Sequence, residues 1–263
     1  MDLRPRCQRC RRYVLRADPT RQLRLLDLQA VDTRLDQIAH ARATLPQLRE
    51  LAGLGDRARL LDTEVVNART ALSDVQREVD KAEADVQLVR GRAARDQARL
   101  DAGTGTAKDL QALQHEVASL ARRQGELEDL ELEVMERAEA LELDAVRLEK
   151  ARAELTAQID ELAATRDAAL GQLDAEAEQV VGRRSGILPG VGEDLVTLYE
   201  KVRRSSGGTG AAELKKRRCG GCGLELNPHE MNRITAAPAD EVIRCEECVR
   251  ILVRTAESGL FGP

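Results

Sequence analysis

Six cysteines carry most of the chemistry this sequence can offer, and they fall into three Cys-x-x-Cys pairs: Cys7/Cys10, Cys219/Cys222 and Cys245/Cys248. Four thiolates are the usual complement of a tetrahedral structural zinc site, and the last two pairs supply them. The 22 residues between Cys222 and Cys245 run slightly beyond the common spacing, which costs little. A shell of four sulfurs is closed and leaves no position for an activated water. The expected role is therefore one structural Zn2+ held by Cys219, Cys222, Cys245 and Cys248. A pair of redox dithiols is the alternative, and it would call for a βαβ context that is missing. His229, in "NPHEM", could replace a ligand in principle, whereas His40 and His115 sit among charged neighbours and are expected in solvent.

Such a site needs short, tight elements. Leu224, Leu226, Val242, Ile243, Ile251 and Val253 lie in strand-like runs around the two pairs, as in the hairpins of a zinc ribbon. Glycines after Cys219 and Cys222 relieve the turn at the first pair. A module of about 45 residues buries too little to fold unaided, and metal binding on the order of 10 kcal/mol or more makes up the deficit. Just before Cys219 stands a basic run, Lys215, Lys216, Arg217 and Arg218, the candidate nucleic-acid contacts, with Arg233, Arg244, Arg250 and Arg254 further on. Interspersed Asp and Glu balance these charges, and the module offers bases almost no aromatic surface, Phe261 alone standing in the last residues.

The rest of the chain is of another kind. Aromatic residues are 1% of its 263 residues, Trp is absent, and charged residues make up 33%, the profile of long helices rather than of a large globule. The net charge of -5 is mild, and neither a membrane span nor the apolar core of a signal peptide is present, so the chain reads as cytosolic. Alternate steps of three and four trace a heptad seam from Leu61 through Val65, Leu72, Val79 and Val86 to Leu100. A second runs from Leu110 through Val117, Leu127, Val134, Leu148 and Leu155 to Val180. Asp96, Gln124, Glu131, Arg152 and Arg166 are polar entries, expected as register markers or as heptad slips where long side chains reach out to water.

Between the seams, "DAGTGTAKD" reads as the turn of a hairpin. The arms are well matched at about 75 to 80 residues, on the order of 110 to 120 Å each. Pro46, Gly53 and Gly55 place a kink or short break at about residues 44 to 56. The expected fold is mostly α: a long antiparallel coiled-coil hairpin over 17–183, its turn near 101–108, then a small β-type zinc ribbon over 211–255. A hinge containing a short amphipathic helix is expected over 184–210, a flexible tail over 256–263, and a disordered or mis-annotated extension over 1–16.

The hairpin, the segment "KDLQALQHEVASLARRQGELED" after its turn, the helix "LYEKVR" and the closing "CGGCGLEL" and "IRCEECVRILVR" resemble, over about residues 17 to 255, the bacterial coiled-coil proteins with a C-terminal four-cysteine zinc ribbon. The resemblance places the zinc ligands on Cys219, Cys222, Cys245 and Cys248. It implies a non-enzymatic adaptor or chaperone, since members have been linked to regulatory or secretion-associated protein partners and in some cases to RNA. "MDLRPRCQRCRRY" is foreign to that pattern, so Val14 could be the true start; a basic arm with free thiols and half of an intermolecular metal site are the other readings of Cys7 and Cys10. The leading function is protein binding through the coil. Nucleic-acid binding through the ribbon is the alternative, and an enzyme comes third for want of a pocket or a nucleophile-base pair.

Overall fold

The computed structural model describes residues 15–260; Cys7, Cys10, Val14 and Phe261 lie outside them. Helix α1 (Pro19–Ala43) opens on Asp18, whose carboxylate accepts the Thr20 N–H at 2.8 Å, with Pro19 in the first turn where its missing donor is harmless. Helix α2 (Pro46–Asp101) starts on a proline in the same way. The interruption between them is confined to Thr44 and Leu45 and does not extend to residue 56. Gly53 and Gly55 lie inside α2, where a helix of 56 residues absorbs a cost of about 1 kcal/mol per glycine. Helix α3 (Ala107–Val191) follows the turn, and α4 (Glu193–Ser205) follows α3.

The chain divides into two units. The first to consider, residues 46–165, is an antiparallel pair formed by α2 and the first part of α3. Ion pairs mark its register: Arg92–Glu116 and Arg90–Glu128, each 2.6 Å, then Glu78–Arg137, Arg69–Glu149 and Asp62–Arg152. One number falls as the other rises. Every seam position from Leu61 to Leu100 and from Leu110 to Leu162 is buried or half-buried. Of the polar entries, Asp96 pairs within its own helix with Arg92 at 3.8 Å and Arg99 at 3.7 Å, Gln124 donates to Glu128 one turn on at 2.7 Å, and Arg152 reaches across to Asp62. In the turn, Gly103 and Gly105 take φ of 62° and 133°, and Thr106 and Asp109 cap α3 reciprocally, the Thr106 N–H donating to the Asp109 carboxylate at 3.0 Å.

The other unit joins residues 1–45 with 166–263. Here α1 runs against the end of α3 and against α4. Residues 184–191, expected to begin a hinge, instead complete α3 despite Pro189. Ile187, Leu188 and Val191 pack on a core with Leu25, Leu28, Leu195 and Tyr199, and that burial outweighs the roughly 3 kcal/mol a proline costs inside a helix. Arg21 donates to the terminal Val191 carbonyl at 2.7 Å. Gly192, with φ of 88°, separates α3 from α4, and residues 206–210 lead from α4 into the sheet.

The four strands β1 (Ala211–Lys215), β2 (Arg218–Cys219), β3 (Ile243–Arg244) and β4 (Ile251–Arg254) form a sheet in the order β2-β1-β4-β3. The central pair is parallel, with Ala211 opposite Ile251; the outer pairs are antiparallel. Helix α5 (Pro228–Ala236) lies between β2 and β3 in sequence. Along β4 the side chains alternate between two cores: Ile251 and Val253 join α1 and α4, while Leu252 joins Leu226, Met231, Ile234 and the cysteines. The sheet is thus a shared wall.

Two expectations about the ends are corrected. Leu15 and Arg16, assigned to a disordered or mis-annotated extension, are tied to the segment before β3 by an isolated antiparallel bridge: the Val242 N–H donates to the Leu15 carbonyl at 3.1 Å and the Ala17 N–H to that of Asp240 at 2.8 Å. Residues 256–260 are not a loose tail. Thr255 caps a 3-10 turn, Ala256–Ser258, whose fully buried Ser258 donates to the Leu214 carbonyl at 3.0 Å.

Candidate metal centre

The four cysteines sit at the ends of two outer strands. Cys219 closes β2 and Cys245 follows β3, and each pair turns back on itself through matched backbone bonds. The Gly223 N–H donates to the Cys219 carbonyl at 2.8 Å, and the Val249 N–H to that of Cys245 at 3.0 Å. Both turns require a left-handed residue directly after the second cysteine. Gly223 provides it with φ of 75°, but in the second turn a β-branched residue, Val249, is held at 65°.

All four Sγ atoms lie within 4.8 Å of one another, and those of Cys219 and Cys248 are 3.7 Å apart. Zn–S bonds of about 2.3 Å at tetrahedral angles put sulfurs about 3.8 Å apart, so the donor set fits one structural Zn2+. The Gly221 N–H points at the Cys219 sulfur, 3.4 Å away. Burial pushes the Cys219 thiol up to about 12 and also raises Cys245. Burial acts in the same sense on Cys248, but hydrogen bonds from Arg250, Cys245 and Cys219 overcome it and bring that thiol down to about 7. A metal entering this site displaces protons as it binds. His229 is exposed and stands outside the sulfur cluster, as His40 and His115 stand exposed on their helices.

Two residues have supporting roles that the sequence did not reveal, Arg250 having stood there only among the basic residues. Glu230 is buried to 2% exposure, and its carboxylate accepts the Glu246 N–H at 3.2 Å, steadying the second cysteine turn. The sign was there in "NPHE": Asn227 caps α5 by accepting the Glu230 N–H at 2.7 Å, which fixes the start of that helix. Arg250 donates to the carbonyls of Ser206, Thr209 and Gly221 at 2.7, 3.2 and 3.2 Å, bolting the first turn to the segment after α4.

The candidate nucleic-acid contacts form the hairpin between β1 and β2. Lys215 is tied to Glu257 at 2.7 Å, and Arg218 lies 3.9 Å from Glu225. Lys216 and Arg217 make the turn itself with φ of 46° and 65°, their N–H groups donating to Glu257 and Ser258 carbonyls. Of the more distant cations, Arg250 is committed as above, and Arg254 donates to the carbonyls of Ala237, Pro238, Ala239 and Glu241. Arg233 faces Glu230 and Glu246, and Arg244 donates to the Val249 carbonyl at 3.0 Å. These four hold the ribbon together, so most of the charge once set beside the basic run has another task.

A heptad-packed helical hairpin followed by a four-cysteine ribbon defines a class of structural or binding protein. A family model described as CT398-like coiled coil hairpin domain matches residues 28–207, and one described as C4-type zinc ribbon domain matches residues 218–252. The chain belongs to the family of CT398-like coiled-coil hairpin proteins, with a C4-type zinc ribbon at its end. It is 35% identical over 240 residues to an uncharacterised protein of Mycobacterium tuberculosis, covering 91% of this chain and 98% of that one. A relative in Mycobacterium leprae is 29% identical over 222 residues, covering 84% and 94%. A solved structure from Mycobacterium smegmatis superposes with a TM-score of 0.80 at 38% identity, covering 91% of this chain and all of that one. CT398 of Chlamydia trachomatis, at 16% identity and a TM-score of 0.63 over 89% and 98% of the two chains, shares the fold. No helix among the described residues is long and apolar enough to cross a membrane.

Proposed function

We propose that the protein is a non-enzymatic adaptor or chaperone, working in the cytoplasm, that binds a protein partner along its coil, with the zinc ribbon as a rigid fixture for a second contact. The observation that carries this reading is the set of large apolar side chains exposed off the seam in residues 46–165, among them Leu60, Leu88 and Leu143 at 68%, 70% and 73% exposure. Side chains of this kind gain by being covered, and a two-helix coil has no interior in which to cover them. Binding nucleic acid through the ribbon is the second reading, favoured by Lys216 and Arg217 at an exposed turn. With Lys215 and Arg218 facing acids of their own, the run neutralises fewer phosphates, and its affinity should fall away at physiological salt.

The test is to recover the tagged full chain from its source cells and to titrate the purified, zinc-loaded chain with RNA and DNA at low and physiological salt. A co-purifying protein that survives nuclease treatment and physiological salt supports the adaptor reading. RNA held tightly at physiological salt, and released by Lys216→Ala with Arg217→Ala, would establish the second reading in its place.

A further inference from the structure

Between residues 126 and 144 helix α3 carries nine acidic side chains and one arginine, a net charge of -8 in a chain whose total is -5. Everything else in the protein sums to +3. Glu126, Glu128 and Asp144 have arginine partners, but four of the acids are not arranged for helix stability. Glu133, Glu136, Glu139 and Glu142 follow one another at three-residue steps, all exposed and without an ion-pair partner among the described residues, although like charges at this spacing repel. In and beside this stretch an apolar stripe emerges. Leu132, Met135, Leu143 and Val146 are 58%, 40%, 73% and 57% exposed. With Glu139 they follow steps of three, four, four and three, which place them on one face, roughly 140° around the helix from the seam that meets α2. The pattern is that of a second seam with no helix on it.

We propose that this stripe binds a basic amphipathic helix of a partner protein, which packs on α3 as a third strand. The inference rests on the adaptor reading and names the partner's chemistry. Charge decides between the possible occupants. A second copy of the chain would bring the same -8 against it. Nucleic acid and anionic lipid surfaces are repelled for the same reason, and so is an acidic helix. A helix with leucine-like residues at matching steps and Lys or Arg beside them would cover the stripe and face Glu136 and Glu139 with the opposite sign.

The probe is a labelled synthetic helix of about six turns, with leucine on one face and lysine elsewhere, titrated by fluorescence anisotropy with the full zinc-loaded chain at physiological salt. It should bind about tenfold or more tightly than a scrambled peptide of the same composition, and Leu143→Ser with Val146→Ser should remove about that factor. Val181→Ser, at an exposed position of α3 outside residues 46–165, should change nothing. All three substituted positions are exposed and off the seam, and circular dichroism confirms that each variant is folded. Equal binding of the scrambled peptide, unchanged binding by the double variant, or loss of a self-associated form in that variant overturns the proposal. The same double variant, recovered from source cells, separates the two claims. If it keeps a protein partner, the stripe is wrong and the adaptor reading stands; if even the unaltered chain holds no protein partner, the adaptor reading itself fails, and the stripe with it.

Discussion

Val249 is where the metal centre is under most local strain. Its φ of 65° repeats that of Gly223 in the other cysteine turn, but an L-residue with a branched Cβ gives up roughly 1–2 kcal/mol to adopt it. The side chain is 47% exposed, so little packing is lost on removing it. Glycine brings more chain entropy to the unfolded state, which offsets part of the gain. Val249→Gly is therefore expected to stabilise the loaded ribbon by up to about 1 kcal/mol, seen as slower zinc loss to a chelator. Faster loss would mean that the valine contacts matter more than its backbone. The same accounting shows why a position can look ordinary in sequence: a valine between Cys248 and Arg250 gives no hint of left-handed geometry.

Among the helices, burial on the seam should separate sharply from exposure off it. Leu155 is 4% exposed and Leu143 is 73% exposed, in the same helix and with the same side chain. Leu155→Ala should cost about 2 kcal/mol or more, whereas Leu143→Ala should stay within about 0.5 kcal/mol, as measured by denaturant unfolding followed through helical signal. Similar costs at both sites would mean that the exposed stripe is already covered by the protein itself. The start of α3 responds to acid. A hydrogen bond from the Thr106 hydroxyl, with one from its backbone N–H, holds the Asp109 carboxyl below its ordinary value. The folded value lies below the unfolded one, so the cap's contribution is complete above the unfolded pKa and is lost as pH falls through the folded pKa. Amide exchange in the first turn of α3, after correction for intrinsic rates, should rise over that acid window and not above it. An unchanged profile in Thr106→Val would show that some other group is titrating.

For the molecule as a whole the shared wall of the sheet matters most. Since Ile251 and Val253 face the core with α1 and α4 while Leu252 faces the cysteines, loss of zinc should reach beyond the ribbon. Chelation is expected to raise hydrogen exchange in β1, β4 and the inner faces of α1 and α4, and to leave residues 46–165 protected and helical. Before chelation, native mass spectrometry should find one zinc per chain. If exchange rises in the ribbon alone, the two cores are energetically separate; if the coil over 46–165 melts as well, heptad packing is insufficient to hold it.

Heptad spacing, the glycine-rich turn and two Cys-x-x-Cys pairs are local patterns, and each told its story in the linear chain. Their physics is local as well. A residue's place in a 3.5-residue repeat decides whether it faces a neighbouring helix, and two thiols three residues apart reach one ion through a single tight turn. The passage of α3 through Pro189, the parallel pairing of β1 with β4, the burial of Glu230 and the work of Arg250 left no such mark. Each depends on a group distant in sequence: Leu25 and Leu28 under Val191, Ile251 beside Ala211, the Glu246 N–H over Glu230, the Ser206 carbonyl at Arg250. A periodic pattern says which face of an element must be covered. Which element covers it is settled only when the whole chain competes for that surface, and here that competition made the ribbon and the base of the hairpin one unit.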